Sequence, residues 1–167
     1  MAVNALRWAG GFAVLALVAS AAAALSDWPR YRLIPPDTGV LTLSVTHSGD
    51  RSAACRQLSE EELAKLPPNM RRSEVCERRR PPVTVELAVD GAILYRATVA
   101  PSGIAGDGSS HLHERFALPA GEHALSVRLS DRADGAFNYE TSRIVDLAPE
   151  QNLAIDFVPA AGGFVFR

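Results

Sequence analysis

Apolar and polar side chains alternate over several short stretches of the chain after residue 40. In the first stretch, Leu41, Leu43 and Val45 occupy every second position, and hydroxyl side chains stand between them. Successive side chains of a β-strand point to opposite faces, so a period of two predicts a strand with one buried face. The same alternation recurs at 83–89, 93–99, 112–118, 125–129 and 153–157, and it recurs imperfectly at 137–147. The pattern therefore predicts an all-β fold, an antiparallel sandwich of about seven strands around one core.

Turn-forming residues separate these stretches. Asp90-Gly91 lies between two alternating runs, and this pair predicts a two-residue hairpin because both turn positions need a positive φ. Further turns are predicted at 119–122 and 131–135, where Pro, Gly and Asp recur. A chain of 167 residues suits one domain of this kind after an N-terminal segment. The formal net charge of −2 gives no reason to expect a nucleic-acid partner.

Two of the alternating segments resemble a known kind of domain. The segments LPAGEHALSVRL at 118–129 and VDLAPEQNLAIDF at 145–157 resemble small bacterial envelope sandwiches of the PEGA, immunoglobulin or fibronectin-III-like kind. The similarity covers residues 83–157 and concerns the fold. The whole chain also resembles uncharacterised single-anchor envelope proteins of proteobacteria. The resemblance implies a binding or scaffolding module, and it supplies no catalytic residue.

The N-terminal segment is apolar and uncharged. From Trp8 to Ser26 there is no charged residue, and Arg7 stands just before this run. One interpretation is a cleavable signal, with the small residues at 22–24 next to the cleavage site. The other is a transmembrane anchor, because the run nearly reaches the roughly 20 residues that span a bilayer, and the aromatic and basic residues at 28–32 suit an interface. We favour an anchor in the bacterial inner membrane with the domain in the periplasm.

These observations divide the chain into four parts. The predicted organisation is an anchor or signal at 1–32, a spacer at 33–40, a sandwich at 41–158 with an insertion at 49–82, and a tail at 159–167. The end of the tail, 162–167, is either frayed or a late edge strand. The insertion is the part that a plain sandwich lacks. It contains Ser59 and Glu62 at the spacing of a capping box, which predicts a short helix that ends before Pro67.

The insertion also holds both cysteines of the chain, Cys55 and Cys76, one on each side of the predicted helix. Outside the cytoplasm such a pair is expected to form a disulfide, and closing the loop stabilises by about 3 kcal/mol in the chain-entropy model. Three alternatives remain open. One is a thiol-redox pair, and another is a pair of free thiols. The third is a copper-type or haem-related site with Cys55, Met70 and Cys76 as soft ligands. The disulfide interpretation requires no cofactor.

The second half of the insertion is strongly basic. Residues 71–80 contain two Glu and five Arg, namely Arg71, Arg72, Arg78, Arg79 and Arg80, for a local net charge of +3. One interpretation is a solvated loop with local ion pairs. The other is a partner-binding patch, since planar guanidinium groups suit carboxylate or phosphate. A nucleic-acid site is not predicted, because aromatic residues are not interleaved with the arginines.

The remaining chemistry-bearing residues do not form a recognisable catalytic set. His111 and His113 share one face of a predicted strand, which indicates that this face is exposed to solvent. The alternative is that the two histidines bind a metal. His123 is expected at the core edge, and His47 has no evident partner. The segment Gly-Asp-Gly-Ser-Ser at 106–110 lacks the glycine spacing of a nucleophile elbow. The sequence thus favours a non-enzymatic, membrane-anchored module that binds another envelope or inner-membrane protein. The alternative is an accessory protein for metal handling or thiol redox.

Overall fold

The computed structural model describes residues 2–27 and 34–167, which fall into two compact units, Met1–Pro35 and Pro36–Arg167. In the described part of the first unit there is one helix, α1 (Ala2–Asp27). Its segment Arg7–Ser26 has 20 residues and is long and apolar enough to cross a membrane. By its length and composition this segment suits either a membrane span or a signal sequence. The predicted interfacial cluster at 28–32 lies outside the described residues.

The second unit is a sandwich of two four-stranded sheets, which confirms the predicted fold class. Its strands are β1 (Thr38–His47), β4 (Val83–Val89), β5 (Ala92–Val99), β6 (Ser110–Pro119), β7 (Gly121–Ser130), β8 (Tyr139–Leu147), β9 (Asn152–Val158) and β10 (Gly163–Phe166). One sheet has the order β10-β9-β1-β6, and the other has the order β5-β4-β7-β8. The insertion contains β2 (Cys55–Gln57), α2 (Glu60–Ala64) and β3 (Glu74–Cys76).

One feature of the sandwich differs from the prediction, and a second decides between two predicted alternatives. β9 pairs with β1 in the parallel sense, whereas the other pairs are antiparallel. The end of the tail is the edge strand β10 and not a frayed segment, which brings the sandwich to two sheets of four strands. A 3-10 turn and Gly162, with a φ of 82°, reverse the chain before β10. Phe164 then packs on Phe157 with ring centroids 5.0 Å apart, so the strand gains a buried anchor.

The core consists of the apolar side chains that alternate along these strands. Leu41 and Leu43 of one sheet and Leu87 and Val127 of the other have no exposed surface. Burying one such side chain stabilises the fold by about 1.5–3 kcal/mol. The alternation seen in the sequence therefore identifies the inner face of each sheet correctly.

The turn between β4 and β5 has the conformation that its sequence predicts. Asp90 and Gly91 have φ angles of 51° and 81°, which match a two-residue hairpin. The Asp90 carboxylate also accepts hydrogen bonds from His123 Nδ1 at 2.7 Å and from the backbone N–H of Ala124 at 2.8 Å. His123 is thus a satisfied histidine at the core edge, as expected from its phase in the strand.

His47 corrects the sequence prediction, because it does have a partner. Its Nε2 lies 2.7 Å from the Asp131 carboxylate, and its ring packs against Phe157 at 4.8 Å between centroids. Asp131 also accepts a hydrogen bond from Asn138 at 2.8 Å. His47 and Asp131 are 84 residues apart in sequence, and only closure of the two sheets brings them together.

Candidate functional site: the disulfide-closed clip

The insertion at 49–82, here called the clip, folds as a small hairpin with a helical turn at its tip. The Ser59 hydroxyl accepts a hydrogen bond from the Glu62 backbone N–H at 3.3 Å, and the Glu62 carboxylate accepts one from the Ser59 N–H at 3.0 Å. This reciprocal pair confirms the predicted capping box. The Arg56 guanidinium donates to both Glu62 oxygens at 3.0 and 3.1 Å, which ties α2 to β2. The Ser59 N–H and Arg56 lower the pKa of Glu62.

Cys55 and Cys76 are direct cross-strand partners in the two-stranded ladder of β2 and β3. Their sulfur atoms lie 2.00 Å apart, at the distance of a disulfide bond. The bond closes the base of the hairpin, so β2 and β3 cannot separate there. The covalent link and the capped helix together hold the clip in one shape.

Besides the disulfide within the clip, hydrogen bonds of Arg80 attach the clip to the sandwich. Arg80 donates from Nε to the Asp107 carbonyl and from Nη1 to the Gly49 carbonyl, both at 3.0 Å, and its own N–H donates to the Gly106 carbonyl at 2.8 Å. Gly49 is required here, since a Cβ at this position would stand 2.0 Å from the Pro81 carbonyl oxygen. The two ends of the clip are therefore held side by side at the loop that precedes β6.

The five predicted arginines have different roles in the structure. Arg80 is half-buried and serves as the attachment just described, and Arg78 pairs with the Asp107 carboxylate at 3.0 Å. Arg71 donates from Nε to the Leu66 carbonyl at 3.1 Å. Among the described residues, Arg72 and Arg79 have no hydrogen-bond or ion-pair partner, and both are exposed. The basic patch thus consists of Arg71, Arg72 and Arg79, which neither pair with a carboxylate among the described residues nor attach the clip to the sandwich.

The clip also brings together three metal-ligating side chains. The sulfurs of Cys55 and Cys76 and a carboxylate oxygen of Glu74 all lie within 4.8 Å of one another. Sequence reasoning missed Glu74, although its position two residues before Cys76 places both on one face of a strand. Met70, the third ligand of the predicted copper-type site, lies in the 3-10 turn Pro68–Met70 with its side chain 62% exposed.

His111 and His113 lie on the outer face of β6, the edge strand, and both are exposed. They stand opposite Thr46 and Ser44 of β1, and His111 Nδ1 lies 3.3 Å from the Thr46 hydroxyl. The shared face that the sequence predicted is therefore present. Arg115 continues the same row of side chains, opposite Thr42.

These features define a class of protein, an all-β sandwich domain that carries a disulfide-closed basic clip and follows an apolar helix in the chain. Comparison with protein-family models, with curated proteins and with solved structures found no match for this chain. The resemblance to envelope sandwiches of the PEGA or fibronectin-III kind accordingly stays a prediction.

Proposed function

We propose that the protein is a non-enzymatic interaction or assembly module of the bacterial envelope, and that its clip binds a carboxylate-bearing surface of another envelope protein. One observation carries the proposal. Arg71, Arg72 and Arg79 are exposed on a segment that is fixed at two points, by the Cys55–Cys76 bond and by Arg80.

Fixing the arginines matters because binding normally costs free energy to order side chains and loops. A backbone that is already held in place reduces this cost. The planar guanidinium group then suits a bidentate contact with a carboxylate. A basic patch also attracts an acidic partner electrostatically, and salt screens this attraction. Arg72 and Arg79 suit this role best, since they have no partner among the described residues.

The proposed location follows from α1 and from the disulfide. Disulfides form and persist outside the cytoplasm, which favours the periplasm for the sandwich. In the proposed arrangement α1 is retained as a single-pass inner-membrane anchor. N-terminal sequencing of the mature protein tests this part, because cleavage after the small residues at 22–24 would instead release the sandwich into the periplasm.

The test of partner binding uses two matched charge reversals in the full chain. Arg72→Glu with Arg79→Glu changes the clip, and Arg115→Glu with Arg143→Glu changes two exposed arginines on β6 and β8 by the same total charge. Each protein carries a photo-crosslinking residue at position 73 and is recovered from membranes in mild detergent. We expect the yield of the crosslink to the partner to fall about tenfold in the clip variant, since losing two ion pairs removes on the order of 1–2 kcal/mol of binding free energy.

The control variant should retain that crosslink, and raising the salt concentration should weaken it in the wild type. Equal crosslinking by both variants would overturn the proposal. Loss in both variants would also overturn it, since the effect would then reflect overall charge and not the clip.

A further inference from the structure

We propose that the clip is also a redox-gated zinc site: after reduction of the Cys55–Cys76 bond, the two thiolates and the Glu74 carboxylate coordinate one Zn²⁺. This inference does not depend on the partner-binding role. It rests on three donor atoms that the β2–β3 ladder places within 4.8 Å of one another.

The ladder explains why these three donors come together whenever the hairpin is closed. Cys55 faces Cys76 directly across the two strands, and Gln57 faces Glu74. Alternation along β3 puts Glu74 and Cys76 on the same side of the ribbon. Tetrahedral zinc with bonds of about 2.3 Å to sulfur and 2.1 Å to oxygen needs ligand atoms about 3.5–3.8 Å apart. Small side-chain rotations are therefore enough to form the site.

The donor set and its exposure favour zinc. Two thiolates select a borderline or soft metal over Mg²⁺ or Ca²⁺, and a carboxylate is a common zinc ligand. Cys76 and Glu74 are exposed and Cys55 is half-buried, so solvent can supply the fourth ligand. Cu⁺ is satisfied by two thiolates, whereas the proposed zinc site also needs the Glu74 carboxylate.

The gating step is a thiol–disulfide exchange followed by metal binding. A dithiol reductant attacks one sulfur of the bond, forms a mixed disulfide, and leaves as its own disulfide, so that two electrons and two protons pass to Cys55 and Cys76. Zn²⁺ then displaces the two thiol protons and binds the thiolates. The oxidised clip has no free thiolate, and the bond and the metal are therefore mutually exclusive.

Zinc would also replace the mechanical role of the bond. It links the same two sulfur atoms, so it closes the same hairpin that reduction leaves open. Metal binding and folding of the clip are then coupled, because the ligands are brought together only in the folded hairpin. A protease that cleaves the open clip thus provides a readout independent of metal analysis.

The experiment uses the full chain in detergent, either oxidised or reduced with a dithiol that is removed under argon. Each form is titrated with Zn²⁺ against a chromogenic chelator, and trypsin cleavage within the clip is followed in parallel. We expect the reduced form to bind one Zn²⁺ and to regain protection from trypsin, and the oxidised form to bind none. Cd²⁺ in place of Zn²⁺ should give the ultraviolet absorption of a thiolate–metal bond.

Variants test the ligand set. Glu74→Gln should weaken Zn²⁺ binding by the reduced protein at least about tenfold, as loss of a ligand does, whereas its exposed neighbour Glu77→Gln and Met70→Leu should leave it unchanged. The proposal is overturned if the oxidised protein or a Cys55→Ser, Cys76→Ser double variant binds Zn²⁺ as tightly as the reduced wild type. Equal effects of the Glu74 and Glu77 variants would overturn it as well, as would a Met70 effect as large as that of Glu74.

Discussion

Removing the Cys55–Cys76 bond separates the stability of the clip from the stability of the sandwich. The bond joins residues 21 positions apart. In the chain-entropy model a loop of this size contributes about 3 kcal/mol, because the open chain can adopt many more conformations than the closed one. The perturbation is the double substitution Cys55→Ser, Cys76→Ser, which preserves the size and polarity of the side chains closely.

The structure indicates where this loss appears. None of residues 50–82 is buried, and Leu58, Leu63 and Leu66 are only half-buried, so the clip has little apolar burial of its own. The core lies entirely in the sandwich strands. Without the bond we expect the clip to open while the sheets stay folded. The native state then gains part of the same chain entropy as the unfolded state, and the sandwich loses less than the full 3 kcal/mol.

Two measurements distinguish the clip from the sandwich. Trypsin cuts after Lys65, Arg71 and Arg72 when the clip is open. Losing about 3 kcal/mol raises the open population, and hence the cleavage rate, on the order of 100-fold. The midpoint of thermal unfolding, followed by circular dichroism, should fall by less than about 6 °C. If the sandwich itself lost the full 3 kcal/mol, the midpoint of a domain of this size would fall by about 6–12 °C.

The control is Arg56→Gln, which breaks an exposed ion pair with Glu62 and should change the cleavage rate by less than about threefold. A double variant that stays protected while its midpoint falls by about 10 °C would refute the reasoning. In that case the clip would be held by contacts with the sandwich and would unfold only with it.

Three further predictions concern the sandwich and the attachment of the clip. Both ring nitrogens of His123 face acceptors, Asp90 at 2.7 Å and the Pro119 carbonyl at 2.9 Å, and these bonds raise its pKa above the ordinary 6.5. Protonated His123 should therefore contribute its full share to the free energy of unfolding below about pH 6.5, and this share should be lost as the pH rises through the raised pKa. Denaturant titrations at several pH values should show this decline in the wild type and not in His123→Gln. Gly49→Ala should destabilise the protein by about 1–3 kcal/mol and expose the clip to trypsin, because the new Cβ meets the Pro81 carbonyl; unchanged cleavage would contradict the assigned attachment. Leu87→Ala should lower the unfolding free energy by about 2–5 kcal/mol, whereas Ile93→Ala, at a side chain 59% exposed on the neighbouring strand, should cost under about 1 kcal/mol in the same denaturant titration.

The sequence predicts the inner faces of the sheets because alternation is a local property of each strand. Leu41 and Leu43, for example, are identified as core residues by their period alone, and both are fully buried. Strand pairing is not local. The parallel pairing of β9 with β1 joins Val40 to Asn152, and no short stretch of sequence specifies that neighbour. For β10 the sequence left a frayed tail and an edge strand both open, since four residues after a turn are too few to show a period.

The candidate site shows the same division between local and distant interactions. The capping box joins Ser59 to Glu62 within one helical turn, so the spacing in the sequence is sufficient to predict it. The roles of Arg78 and Arg80 depend on Asp107, which is 29 and 27 residues away, and the five arginines look alike in the sequence. Only the fold shows which of them hold the clip in place.

The clip lies outside the hydrophobic core, and this position affects what binding to it costs. A partner or a metal that binds a site within the hydrophobic core would have to disturb the packing that supplies most of the stability of a domain. Here the basic side chains and the cysteine pair lie outside the core, on a segment whose Arg78 and Arg80 donate hydrogen bonds to Asp107 of the sandwich. In the states proposed above, the clip changes between bonded, open and metal-bound forms at a cost of a few kcal/mol, and we expect β1 and β4 on either side of it to keep their register. A disulfide clip on an independent sandwich is thus suited to respond to its surroundings without unfolding the protein that carries it.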